Sequence, residues 1–262
     1  RVDGGALLGL AFSFFLSKVY TESKKYRYIV ASAFIFSFVF FITQFRYQII
    51  TLVAELIIVY YLSSKNNNQR TNKRVVLFLA FLVVLSIGGF DYIFKMFSVD
   101  SDYGGSTLAR LRTVSHYWEL MKTKNAFFGL GILYEGNENA YMLMHRLTEW
   151  GSNSWHYLED IGVLGGFFQF GLLTLPLYGG MFASGLNAYK VNRRVNNRYN
   201  TLALSAILSY LIISNLALNI FDLQRAFAVP FYIAAFSWAY YCAVDEIGEE
   251  QYEEKGDVGL WH

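Results

Sequence analysis

The chain has 262 residues, of which 55% are hydrophobic and 16% charged, and its net charge is +2. Soluble domains carry about 25% charged residues; the deficit, with 24 Phe, 20 Tyr and only 2 Pro, points away from a soluble globule and towards a polytopic membrane protein. The near-neutral balance gives no ground for nucleic-acid binding, and the single Cys242 excludes an internal disulfide and a thiolate metal cluster.

The chain begins at Arg1 and enters an apolar run almost at once. That start is expected of the C-terminal portion of a longer protein. The run has no small-residue cleavage site, so no signal peptide is expected. Seven apolar spans follow in order, at about 5–20, 29–43, 47–62, 75–97, 161–186, 201–220 and 226–244. Most approach the ~17–25 residues that cross the hydrocarbon core; the second and third are short for it. Backbone in lipid must satisfy its own hydrogen bonds, so the spans are expected to be helices, the fifth interrupted at Pro176. The fold class expected is all-α: about seven transmembrane helices and one long external helical loop.

Basic residues set the orientation. Lys24, Lys25 and Arg27 follow the first span, Lys65, Arg70, Lys73 and Arg74 the third, and Lys190, Arg193, Arg194 and Arg198 the fifth. These are alternate loops, which the positive-inside rule places in the cytoplasm. The turn at 43–46, the stretch 98–160 and the turn at 221–225 are then external. The chain divides into four helices over 1–97, an external loop over 98–160, three helices over 161–244 and an acidic cytoplasmic tail over 245–262, read as a mobile, solvated end.

Within the external loop, Ser106 or Thr107 is placed to cap a helix reaching about Lys122, with Leu108, Leu111, Ser115 and Trp118 along one face. Glycines at 129, 131 and 136 break the pattern. A second helical stretch is expected over about 140–149, with Tyr141, Met144 and Leu147 on its apolar face.

Several residues invite chemistry, each with a plainer alternative. Arg46 ends an external turn; it is either a snorkelling interfacial arginine or a cation that grips phosphate through its fork of donors. Arg110 and Arg112 point to different sides of their helix; Arg110 shares a face with Val114, Tyr117 and Met121, and Arg112 is left to solvent or Glu119. Glu159 and Asp160 open the fifth span, where carboxylates suit a helix N-terminus or, for Asp160, act as a general base. His156 reads as interfacial packing beside Trp155 and Tyr157, or as a partner of Asp160 on an early-starting helix. Glu55 lies mid-span and Asp91 near an outer end; charges so placed usually pair or face a cavity. There is no Walker loop and no His, Asp or Glu cluster with metal-ligand spacing, so neither a cofactor nor a metal is expected. Asp100 and Asp102 sit in a Gly/Ser turn and are read as solvated.

Three places resemble the O-antigen polymerases and ligases, the Wzy-type membrane glycosyltransferases of bacteria. Thr43-Gln44-Phe45-Arg46 is similar to that family's short external turn ending in arginine. Leu108-Ala109-Arg110, a helix with Trp118, and then Asn125-Ala126-Phe127-Phe128-Gly129-Leu130-Gly131 resemble its arginine, helix and glycine run, with Ala126 where proline is usual. Gly171-Leu172-Leu173-Thr174 fits the end of the ligase pattern. Counting back puts Asp160 where a ligase has histidine; His156 does not fit that spacing, and the departure resembles the polymerase branch. The resemblance implies transfer from an undecaprenyl-pyrophosphate-linked oligosaccharide to a sugar hydroxyl, without metal or nucleotide sugar, at the outer face of the bacterial inner membrane. It implies Arg46 and Arg110 on the pyrophosphate, Asp160 with His156 as the catalytic pair, and Trp118, Trp150 and Trp155 against sugar rings, with an interfacial aromatic belt as the plainer alternative for the tryptophans. Its partners would be the lipid-linked donor, the bilayer and a chain-length regulator protein. Ligase activity, or a glycolipid or polysaccharide transporter without glycosyl transfer, are the alternatives; a sensor or scaffold without chemistry is a further one.

Overall fold

The computed structural model describes residues 5–43, 46–64, 104–123, 127–133, 138–147, 153–222 and 225–257. The expected fourth span at 75–97, the stretch 98–103, Trp150 and the side chains of Arg46, Trp155 and Glu159 lie outside the described residues. The described secondary structure is helical, apart from one antiparallel pair of three-residue strands. Two compact units divide the chain: residues 1–72, 180–212 and 227–262 form one, and 73–179 with 213–226 the other.

In the first unit, α1 (Gly5–Thr21) packs against α2 (Tyr26–Phe38) and α3 (Arg46–Ser64). A π-helical turn, Val39–Thr43, prolongs α2. Phe12, Leu16, Leu52, Val59, Leu204, Ile207 and Phe236 are buried. So are Ser13, Ser17, Gln48, Thr51, Glu55 and Asn192, while Phe34 and Ile57 are more than 60% exposed. Buried polar groups within the core, with large apolar side chains left exposed, depart from the usual arrangement in water.

The second unit holds α4 (Gly104–Thr123), the short α5 (Glu138–Met144), strands β1 (His145–Leu147) and β2 (Asn153–Trp155), a 3-10 turn at Leu158–Ile161 and α6 (Gly162–Phe170). The helix expected over 140–149 stops at Met144, and His145–Leu147 pairs with Asn153–Trp155 instead. Two helical turns are too short to persist alone, and the ladder takes over the backbone groups. Tyr117, Met121, Leu158, Ile161 and Phe168 form this unit's apolar core.

Further on come α7 (Thr174–Arg194), α8 (Arg198–Ser214) and α9 (Val229–Asp257). The expected fifth span is broken, but at Gly171 rather than Pro176. Gly171 adopts φ 58 and starts a 3-10 turn, Gly171–Leu173; Pro176 falls in the first turn of α7, where its missing N–H costs nothing. The sixth span is helical only to Ser214. Beyond it, Asn215 Oδ1 accepts from the Ile220 N–H and Asn219 Oδ1 from the Phe221 N–H, side-chain bonds that compete with a helix. The acidic residues after Val244 continue α9 to Asp257, and Asn197 donates to Glu246 at 3.0 Å.

Two stretches are long and apolar enough to cross a membrane, Gly162–Arg194 at 33 residues and Ala226–Gly248 at 23. Gly5–Thr21, Tyr26–Phe41 and Gln48–Ser63 are shorter apolar helices.

Candidate functional site

The site is built on α4. Thr113, Tyr117 and Met121 are buried and Arg110 is half-buried, a stripe recurring every three to four residues as one helix face requires. This is the face that carries Arg110, as its spacing indicates. The other expected face is turned out: Leu111 is 63% exposed and Trp118 52%. The reason is the core opposite, where Leu158, Ile161 and Phe168 receive Tyr117 and Met121. Trp118 touches that core by its edge, 6.4 Å from the Phe168 ring centre. Arg112 is exposed, and Glu119 pairs with Lys122 at 2.7 Å rather than serving Arg112.

His156 docks on this stripe and is buried. Its Nδ1 and the Thr113 Oγ1 share a hydrogen bond at 3.1 Å, and its carbonyl accepts from the Tyr117 hydroxyl at 2.7 Å. Its N–H donates to the Met144 carbonyl at 3.0 Å. The imidazole stacks on His116, with centres 4.4 Å apart and planes 18° from parallel. His116 Nε2 meets the Leu143 carbonyl at 2.7 Å; a carbonyl only accepts, so this nitrogen carries the proton. Burial pushes the Tyr117 phenol well above its ordinary range, which keeps it a donor to His156. Thr113 and His116 thus hold the imidazole and Tyr117 the backbone of the same residue, from positions i, i+3 and i+4, and Arg110 lies one turn before Thr113.

Asp160 is half-exposed on the 3-10 turn, whose Leu158 and Ile161 are anchored in the core. The sharing of one helix face by His156 and Asp160 does not occur. His156 precedes the turn, which starts at Leu158; its own backbone is engaged by Met144 and Tyr117. The short linkage and the common anchorage on α4 hold both residues in the second unit.

The glycine run and the break after α6 come together. Leu130 N–H donates to the Phe168 carbonyl at 2.8 Å, Gly131 N–H to that of Gln169 at 2.9 Å, and Leu172 N–H to that of Phe127 at 3.0 Å. Carbonyls freed at the end of α6 are satisfied this way. Gly129 has φ +71, and a Cβ there would lie 2.5 Å from the Gln169 carbonyl oxygen, so only glycine fits this approach. Behind the break, Tyr178 donates to Asn219 Oδ1 at 2.8 Å, and Asn219 donates to Gln169 Oε1 at 3.1 Å.

Of the residues singled out by sequence, Arg110, His156 and Asp160 belong to this one unit. Arg46 opens α3 in the other unit. Sequence spacing placed Tyr117 on the face of Arg110 without giving it a role, and Thr113 and His116 escaped, although their helical spacing from Arg110 was the available signal. Among the described residues no group of three His, Cys, Asp or Glu could hold a metal. Chemically, this unit offers a half-buried cation, a positioned imidazole and a half-exposed carboxylate. No protein-family model, curated protein or solved structure matches this chain.

Proposed function

We propose that the chain is a multi-pass membrane glycosyltransferase. It polymerises oligosaccharide repeats from an undecaprenyl-pyrophosphate-linked donor at the outer face of the bacterial inner membrane. The observation that carries this reading is the docking of His156 on the helix face of Arg110, with Asp160 on the next turn. Buried polar side chains in the first unit, large apolar ones left exposed, and two helical stretches of spanning length support the membrane setting. The alternation of basic loops along the sequence supports an external site.

The reaction is a displacement. An acceptor sugar hydroxyl attacks the anomeric carbon, the bond from that carbon to the lipid pyrophosphate breaks, and the pyrophosphate leaves with the electron pair. Asp160 takes the hydroxyl proton. Arg110 holds the charge that grows on the leaving group; Arg46 is assigned a phosphate-binding role on its sequence position alone. His156 is gripped on several sides, which suits it to positioning Asp160 and the acceptor rather than to moving freely. Trp118 offers an exposed ring for sugar stacking; Trp155 is assigned the same role on its sequence position.

The test is complementation of a polymer-deficient strain with the full-length protein. Arg110→Ala, Arg46→Ala and Asp160→Asn should each abolish long-chain polymer, while Arg112→Ala should not. Long polymer from both Arg46→Ala and Arg110→Ala at normal protein levels would overturn the mechanism. A second reading, a glycolipid or polysaccharide transporter, is favoured by the helix break at Gly171 and the buried Glu55. It predicts that Asp160→Asn leaves polymer intact.

A further inference from the structure

Glu55, near the middle of α3, is fully buried. Its Oε2 lies 2.5 Å from the Ser13 Oγ of α1, and that hydroxyl is also 3.0 Å from the Gly9 carbonyl oxygen. A serine has one proton to give, and a backbone carbonyl can only accept. Both contacts are hydrogen bonds only if Glu55 donates a carboxyl proton to Ser13 and Ser13 donates its own to Gly9. An ionised Glu55 would claim the serine proton and leave two lone-pair oxygens facing each other at 3.0 Å.

The surroundings agree with a neutral acid. Oε1 has no hydrogen-bond partner among the described residues. No lysine or arginine among them bridges to Glu55. The ionisable group facing it is the Tyr232 phenol of α9, itself neighboured by Tyr210 of α8. Tyr232 donates to the Ala6 carbonyl at 2.6 Å and Tyr210 to that of Gly5 at 3.1 Å, so neither phenol spends its proton on the carboxyl. A lone buried carboxylate without a cation is far costlier than the protonated acid.

From Ser13 a row of hydroxyls climbs one face of α1. Ser17 Oγ donates to the Ser13 carbonyl at 2.7 Å and Thr21 Oγ1 to that of Ser17 at 3.1 Å. The steps are one helical turn, about 6 Å each, close enough for one water to bridge. Thr21 is half-exposed at the end of the helix.

We propose that Glu55 is a proton-binding site, a buried carboxylic acid that exchanges its proton with solvent along the Ser13, Ser17 and Thr21 row. It is independent of the glycosyl-transfer reading and needs no residue of that site. The experiment is infrared spectroscopy of the full chain in detergent. At neutral pH a carboxylic acid carbonyl band should be present, shift down in D2O, and be missing in Glu55→Gln, which keeps the shape and a donor for Ser13. Ser17→Ala should retain the band but slow its exchange severalfold. Absence of the band at neutral pH, or a band indifferent to D2O, overturns the site; loss of the band on adding sodium at constant pH reassigns it to a metal cation. Exchange in Ser17→Ala at the wild-type rate overturns the route.

Discussion

Tyr117 shows how much one side chain on α4 decides. Its ring fills the core between Met121 and Phe168, and its hydroxyl satisfies the His156 carbonyl. Tyr117→Phe keeps the ring and orphans a buried carbonyl, which costs about 1–3 kcal/mol; it should lower the denaturation midpoint and weaken polymer formation through His156. The pH dependence has a definite sign. The unfolded phenol ionises near its ordinary value of 10.0, whereas burial holds the folded one above that. The folded state therefore binds the extra proton above pH 10: its advantage is complete below pH 10 and is lost as pH rises further. Tyr117→Phe should flatten that alkaline loss, and an equally steep loss in the variant would show that this phenol is not its source. Residue types on this face were legible: spacing alone put Arg110 with Val114, Tyr117 and Met121. The grip on His156 was not, because it joins positions about forty apart through an intervening hairpin. Sequence spacing pointed instead to a shared face for His156 and Asp160, a pairing that presumes a helix where the chain is extended.

At the scale of elements, the turn into α6 is the joint on which the second unit depends. Gly162 adopts φ 59, and its N–H neighbour Val163 donates to the Asn215 carbonyl at 2.9 Å. A Cβ at Gly162 would collide with that same carbonyl oxygen. Gly162→Ala should cost about 1–3 kcal/mol from backbone strain alone, with the clash added. A cooperative melt monitored from the second unit should shift down by several degrees, while Gly179→Ala, inside a helix with open space around its added methyl, should not lower it. Equal melting of the two variants would refute the strained joint. The elements that sequence periodicity located well are α1 and α4, where a single pattern persists over many turns. It failed where side chains overrule the pattern. Asn215 and Asn219 end α8 early by bonding backbone N–H groups, and Gly171 breaks the fifth span although Pro176 looks the stronger breaker. A proline in a first turn is harmless, whereas a glycine at positive φ redirects the chain.

For the whole molecule, hydropathy and structure agree on a helical chain but weigh the spans differently. Periodic apolar runs suggested seven crossings; the described helices supply two stretches of full spanning length and three shorter apolar ones. The shortfall has three sources. The 75–97 run lies outside the described residues, the described lengths of α1 to α3 fall below the ~20 residues of a crossing, and α8 ends at Ser214. Short helices cross if the bilayer thins or flanking residues reach to the headgroups, and the exposed rings of Phe34 and Tyr61 suit contact with lipid. Topology then decides whether the Arg110 and His156 cluster meets donors outside the cell. Ser115 is exposed on α4 and Lys190 is exposed near the end of α7. In a background with Cys242→Ser, a membrane-impermeant thiol reagent applied to intact cells should label Ser115→Cys and spare Lys190→Cys until the membrane is opened. Labelling of Lys190→Cys in intact cells, with Ser115→Cys protected, would invert the orientation. It would place the cluster on the side where nucleotide sugars rather than exported lipid-linked glycans are available, and the proposed donor would fall with it.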